Sequence, residues 1–141
     1  LAVRKSTRKT AAALAVALGL CLLCGNLLLK PLIGRIRPFN VQDAITLLIA
    51  APLDYSFPSG HTMSSFAAAM VLLLTDRRMG IPAMLLAGLI AFSRMYLYVH
   101  YPTDVLAGLL MGCLFGWLAV HIVQKLHARR FQRNQQEKPH S

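Results

Sequence analysis

Residues 11–29 form a nearly unbroken apolar run of 19 positions. As a helix such a run rises roughly 28 Å, enough to cross the hydrocarbon core of a bilayer. Basic residues precede it, as in a secretory leader, but the run is long for one, and Leu22 and Leu23 before Cys24 are poor cleavage residues. It reads as a retained span. A second apolar stretch, 61–75, is short, so its span begins nearer Ser59 and runs into the loop Asp76-Arg77-Arg78. Residues 80–98 and 103–123 predict a third and a fourth span. The run 41–53 is of intermediate length, which suits an interfacial or re-entrant helix better than a crossing one. Asn40 with Asp43 three positions on is placed to cap its start. The pattern predicts an all-α fold, an integral membrane helical bundle of about four transmembrane helices plus a short interfacial helix. A basic tail at 1–10 leads into a transmembrane domain at 11–124. A second basic tail at 125–141 is polar enough to fray or to lie on an anionic membrane surface.

Composition supports the same class. Only 14% of the residues are charged, where about 25% is usual in soluble domains. The three cysteines are an odd, sparse set within apolar runs, so they make no disulfide framework. A net charge of +10, from 15 Lys and Arg against 5 Asp and Glu, would fit nucleic acid if the cations formed one patch. They do not. Eleven flank the apolar runs, at Arg4, Lys5, Arg8, Lys9, Arg77, Arg78, Lys125, Arg129, Arg130, Arg133 and Lys138. That distribution is expected of cytoplasmic segments. It predicts a multi-pass cell-membrane protein with both termini inside, with 30–60 and 99–103 outside, and with the bilayer rather than nucleic acid as its partner. The other four cations, Lys30, Arg35, Arg37 and Arg94, collect on the outer face.

Three clusters lie on that face: Lys30-x6-Arg37-Pro38, Pro58-Ser59-Gly60-His61, and Ser93-Arg94-x5-His100-x3-Asp104. Cations and histidines at membrane depth are costly and point to function. Together they suggest phosphoryl transfer, in which charge spreads over three equatorial oxygens and catalysis is mostly positioning and cationic clamping. Lys30, Arg37 and Arg94 supply the cations. Ser59 and Gly60 precede a helix start, where backbone N–H groups and the dipole favour an anion. With Pro102 as first helical residue, Asp104 lies in the first turn, kept ionised by the helix dipole. From there it is placed to accept the Nδ1–H of His100 and leave Nε2 as a nucleophile. His61 heads another helix and is placed to protonate a leaving group.

These clusters resemble the three signature motifs of the type 2 phosphatidic acid phosphatase family, which includes vanadium haloperoxidases and some bacterial acid phosphatases. All eleven identities of K-x6-RP, PSGH and SR-x5-H-x3-D are present in order. The resemblance implies that His100 becomes phosphorylated, that Asp104 orients it, and that His61 is first acid and then base. It implies that Lys30, Arg37, Ser59, Gly60 and Arg94 hold the phosphate. Membrane members of the family usually have six spans, two of them before the helix that ends in the first motif; here one span precedes or contains it. The implied reaction is metal-independent, cofactor-free hydrolysis of a phosphoester or phosphoanhydride on a lipid at the extracytoplasmic face. A polyprenyl diphosphate such as undecaprenyl diphosphate is the favoured substrate, with phosphatidylglycerophosphate or phosphatidic acid next. The alternatives are a vanadate-dependent oxidase, with vanadate on His100, and a non-catalytic lipid-binding protein.

Other residues take plainer readings. Arg35 reads as a rim or headgroup charge, and Asp43 and Asp54 as loop or cap residues with no partner carboxylate placed to share a hard cation. Cys21-x2-Cys24 reads as apolar packing. Gly108, Gly112 and Gly116 repeat every four residues, which allows close helix packing within the bundle or between chains of a homo-oligomer. Tyr96, Tyr98 and Tyr101 fit an interfacial aromatic belt.

Overall fold

The computed structural model describes residues 2–41 and 47–136. Every element among them is helical. Helix α1 (Ala2–Leu20) passes into a π-helical segment (Cys21–Leu29) and a closing turn, α2 (Lys30–Ile33). Then follow α3 (Gly60–Thr75), α4 (Arg77–Tyr96) and α5 (Pro102–Gln136). Three stretches, Thr7–Asn40, Arg77–Tyr96 and Pro102–Arg130, are long and apolar enough to cross a membrane, and α3 is a shorter apolar helix. The predicted bundle of about four spans is thus present, with two differences in extent. The helices reach into both basic tails: α1 starts at Ala2 and α5 runs to Gln136. Lys, Arg and Gln are good helix formers, and extending a nucleated helix adds one bond per residue fixed. Of the predicted interfacial helix, 47–53 is non-helical. Pro52 has no N–H to donate and disfavours helix at the residue before it. Residues 42–46, with Asp43 of the expected cap, lie outside the described set.

Helix α3 is the hub. One face sets Met63, Ala67 and Val71 against Ala13, Ala17 and Cys21 of the first helix and Phe115, Ala119, Val120 and Val123 of α5. The other sets Phe66 and Ala69 against Ala87 and Ala91 of α4 and Val105 of α5. The glycine repeat explains how close α5 comes. A Cβ on Gly108, Gly112 or Gly116 would lie 2.7, 2.3 or 2.5 Å from the backbone oxygen of Ser59, Met63 or Ala67 respectively. The repeat therefore serves packing inside the bundle, where small residues let backbones approach. A single residue turns α3 into α4: Asp76 N–H donates to Leu72 O at 2.7 Å, and its carboxylate accepts the Arg78 N–H at 2.9 Å, capping α4. Leu22, Leu23, Leu27, Leu85, Leu89, Phe92, Leu106 and Leu110 point outward and are exposed, as a lipid solvent allows.

Candidate active site

The three clusters converge at one end of the bundle. The π-helical segment ends with the Lys30 N–H on Gly25 O, and π-turns of this kind occur frequently at functional sites. Gly34 then stops the helix in the left-handed conformation (φ 60°), its N–H on Lys30 O at 2.9 Å. Glycine adopts that conformation without a Cβ penalty. The chain continues into Arg37, whose extended backbone suits the residue before Pro38. Across the bundle, the Ser59 N–H donates to Asp104 O at 3.1 Å, tying the starts of α3 and α5 together. Between α4 and α5 the link is short, and Tyr98 turns it in the left-handed region (φ 59°), tucking Val99 and His100 inward, both buried.

Arg37 is 3% exposed and fully engaged. Its Nε donates to Asp54 O at 2.8 Å, Nη1 to Val99 O at 2.8 Å, and Nη2 to Asp54 Oδ1 at 2.6 Å and Tyr55 O at 3.4 Å. Nη1 also lies 3.2 Å from His100 Nε2. Arginine only donates, so this contact requires Nε2 to be the bare acceptor nitrogen and places the ring proton on Nδ1. Nδ1 faces Ser56 Oγ at 3.5 Å and Asp104 Oδ2 at 3.6 Å. Asp104 Oδ2 thus lies about as near Nδ1 as Ser56 Oγ does, and Ser56 Oγ in turn donates to Asp104 Oδ2 at 2.5 Å, so the three groups form one cluster. Asp104 is fully buried, and its Oδ2 also accepts the Tyr101 N–H at 3.0 Å.

Two side chains given plainer readings above, Arg35 and Asp54, belong here, and so does Ser56, which no sequence pattern singled out. Arg35 is no rim charge: Nη1 bonds Asp104 Oδ1 and Thr103 Oγ1, each at 2.6 Å, and the guanidinium stacks over the Tyr101 ring at 4.1 Å. Desolvating a carboxylate this completely is costly unless a cation meets it. Asp54 is no mere loop residue: its two carboxylate oxygens join Arg37 and Lys30. Partial burial works against ionisation, but the hydrogen bonds from Lys30 and Arg37 outweigh it and hold Asp54 below the usual carboxylate range. Ser56 is fully buried at the His100–Asp104 pair. The signal that could have found them is spacing by two, which puts residues of an extended segment on one side: Arg35 with Arg37, and Asp54 with Ser56.

The remaining predicted residues sit at the same end. Ser59 is buried with its Oγ 2.9 Å from Thr62 Oγ1, and Gly60 opens α3 close to Asn26, whose Oδ1 would be 3.0 Å from any added Cβ. His61 is exposed and lines, with Lys30, Asp54, Gly60, Asn26 and Ser64, a cavity of about 270 Å³ that runs down to Leu18 and Leu22. Arg94 lies in the last turn of α4 with Nε and Nη2 each 3.2 Å from Ser93 Oγ. No group of three His, Cys, Asp or Glu among the described residues could hold a metal ion, and Cys21 and Cys24 are free thiols.

The sequence matches the PAP2 superfamily over residues 10–128. The chain belongs to the PAP2 superfamily. It is similar to an undecaprenyl-diphosphatase of Sulfolobus acidocaldarius, 37% identical over 123 residues, covering 86% of this chain and 59% of that protein. A lipid A 4'-phosphatase of Bacteroides thetaiotaomicron is 37% identical over 74% of this chain and 49% of its own length. This PAP2 chain thus spans between half and three fifths of these curated relatives. Among solved structures, the fold is similar to a transmembrane PAP2-type phosphatidylglycerolphosphate phosphatase from Bacillus subtilis, with a TM-score of 0.65 and 30% identity over 79% of this chain and 58% of that one. It is also similar to LpxE of Aquifex aeolicus, with a TM-score of 0.66 and 29% identity over 84% and 68%. With its apolar helices, this PAP2 chain is a multi-pass membrane protein.

Proposed function

We propose that this chain carries the catalytic centre of a lipid phosphatase that works through a phosphohistidine. The observation that carries the reading is the placement of His100: its Nε2 faces the Arg37 guanidinium at 3.2 Å, while Nδ1 is turned toward Ser56 and Asp104. A nucleophilic nitrogen presented to a cation is what attack on an anionic phosphoryl group requires. His100 Nε2 attacks phosphorus in line, and Asp104, steadied by Arg35 and Ser56, stabilises the imidazolium that forms. His61 protonates the departing oxygen and then takes a proton from the water that splits the phosphohistidine. Lys30, Arg37, Arg94 and the first turn of α3 at Ser59 and Gly60 hold the phosphoryl oxygens through both steps, so the charge is met without a metal ion.

The cavity below His61 descends between Leu18, Leu22 and Cys21, an apolar lining suited to the lipid end of the leaving group. The names of the relatives favour a polyprenyl diphosphate, with phosphatidylglycerophosphate next. The positive flanks favour a site at the extracytoplasmic face with both ends of the chain inside. The test is phosphate release from undecaprenyl diphosphate, phosphatidylglycerophosphate and phosphatidic acid in micelles, with chelator present throughout and acid-labile phosphoprotein trapped in a single turnover. Turnover with a phosphoprotein that His100→Ala abolishes is expected. Turnover that needs added magnesium, or no phosphoprotein under trapping conditions, would overturn the reading.

A further inference from the structure

The Arg37 guanidinium has five N–H donors, and all of them are in use: on Asp54 O, Asp54 Oδ1, Tyr55 O, Val99 O and His100 Nε2. Lys30 is 7% exposed and its ammonium is joined to the other oxygen of the same Asp54 carboxylate. The two buried cations assigned to phosphate therefore hold an anion already, and it belongs to the protein. Three of the five Arg37 partners are backbone oxygens fixed by the fold, and His100 must stay to react. Asp54 is different. Its side chain is 54% exposed, and it lines the same cavity as Lys30, Gly60 and His61. It is the partner that has somewhere to go.

We propose that Asp54 is an internal anion seated in the phosphate site, which a doubly charged phosphate displaces and a singly charged phosphodiester does not. This rests on the reading of Lys30 and Arg37 as the phosphate-holding cations. The carboxylate mimics a phosphate edge: two oxygens, one on each cation, with a single negative charge. A phosphodiester offers the same charge and no more, and it competes against a group whose effective concentration at the site is set by a short tether. A phosphomonoester or terminal diphosphate carries close to two charges near neutral pH, so it gains on both cations at once. The consequence suits a membrane enzyme. Bilayer headgroups are phosphodiesters in vast excess, and a cradle open to any phosphate would be filled by them. Asp54 thus sets a charge threshold for occupancy.

The experiment titrates inorganic phosphate, methyl phosphate and dimethyl phosphate calorimetrically at pH 7.5 into the full chain in detergent, for the unaltered protein, Asp54→Asn and Asp54→Ala. In the unaltered protein both phosphate and methyl phosphate bind and dimethyl phosphate does not register. In either variant phosphate and methyl phosphate bind more tightly by a common factor of about tenfold or more, the weight of one lost charge-assisted competitor, and dimethyl phosphate becomes measurable. A common factor is the mark of displacement, because every ligand is relieved of the same competitor. Tighter phosphate and methyl phosphate with dimethyl phosphate still undetected in both variants shows that Asp54 only repels dianions from nearby. Unchanged or weaker phosphate binding in a variant of full helix content shows that Asp54 braces the cations. Equal affinity for methyl and dimethyl phosphate in the unaltered protein shows that no threshold exists, with no variant needed. Each of these results overturns the proposal. Arg37→Ala in the Asp54→Asn background separates the underlying reading: if phosphate still binds there undiminished, the cradle itself is wrongly assigned, whatever Asp54 does.

Discussion

The two ends of this bundle carry the same residue types in opposite states. At the far end from the motifs, Arg8, Lys9, Arg77, Arg78, Lys125, Arg129 and Arg130 are all exposed. At the motif end, Lys30 and Arg37 are buried, and each is matched to a carboxylate oxygen, as Arg35 is to Asp104. An exposed cation needs no protein partner, because water and headgroups solvate it. A buried one is tolerated only with a counter-charge and satisfied donors. Burial with pairing, rather than the number of positive charges, sets the motif end apart.

That contrast can be broken most directly at the nucleophile. His100→Ala is expected to lower turnover by at least about 10⁴-fold for every substrate, as removal of a covalent nucleophile does, with the phosphoprotein gone. Retained phosphoprotein would move the nucleophile elsewhere. His61→Ala should lose about 10²–10⁴-fold on an alkyl phosphomonoester, the usual weight of a general acid. The first step should lose less on a diphosphate, whose leaving oxygen is less basic. Single-turnover rates on the two substrates decide it, and equal losses would remove His61 from the acid's role.

The glycine repeat offers the same test at both ends with one substitution. Gly108→Ala and Gly116→Ala place a Cβ 2.7 Å from Ser59 O and 2.5 Å from Ala67 O. Overpacking of this kind costs about 1–3 kcal/mol, so both should lower the melting temperature. Only Gly108→Ala should also lower the rate per folded molecule, because it pushes α5 off Ser59, whose N–H donates to Asp104 O. Gly88, with nothing within 4 Å of its added Cβ, is the neutral control. A Gly116→Ala variant as impaired in rate as Gly108→Ala would show that the site senses the whole bundle.

Acid should distinguish the ends more gently. Asp54 is held below its ordinary carboxylate range by Lys30 and Arg37. A depressed folded pKa means that its ion pairs contribute fully above about pH 4. That contribution is lost as pH falls through the lowered folded value. Acid melting curves of Asp54→Asn should therefore fall less steeply than those of the unaltered protein below that pH; parallel curves would show the pairing to be weak. The smallest effect is expected at the far end. Arg129→Ala and Arg130→Ala should each change stability by no more than about 0.5 kcal/mol and leave turnover as it was, and a large loss of rate would break the contrast between the ends.

Much of this was legible in the chain. The apolar runs determined the helices, since in lipid a spanning segment must satisfy its own backbone bonds, and the three clusters Lys30-x6-Arg37, Ser59-Gly60-His61 and His100-x3-Asp104 lie at one end of the bundle as their positions at the ends of those runs required. Pro102 at the first position of α5, with Asp104 in its first turn, followed from local rules alone. Where local and tertiary preferences diverged, the sequence was silent. Arg35, Asp54 and Ser56 look like loop residues because nothing within a few positions explains them; their partners lie 69, 17 to 24 and 48 residues away. Whether the glycine repeat faces a neighbour in the same chain or in another was likewise undecided until α3 was seen lying in it. Only the tertiary structure could settle these points, because burial is what makes a charge or a hydroxyl demand a partner, and burial belongs to no single segment of the chain.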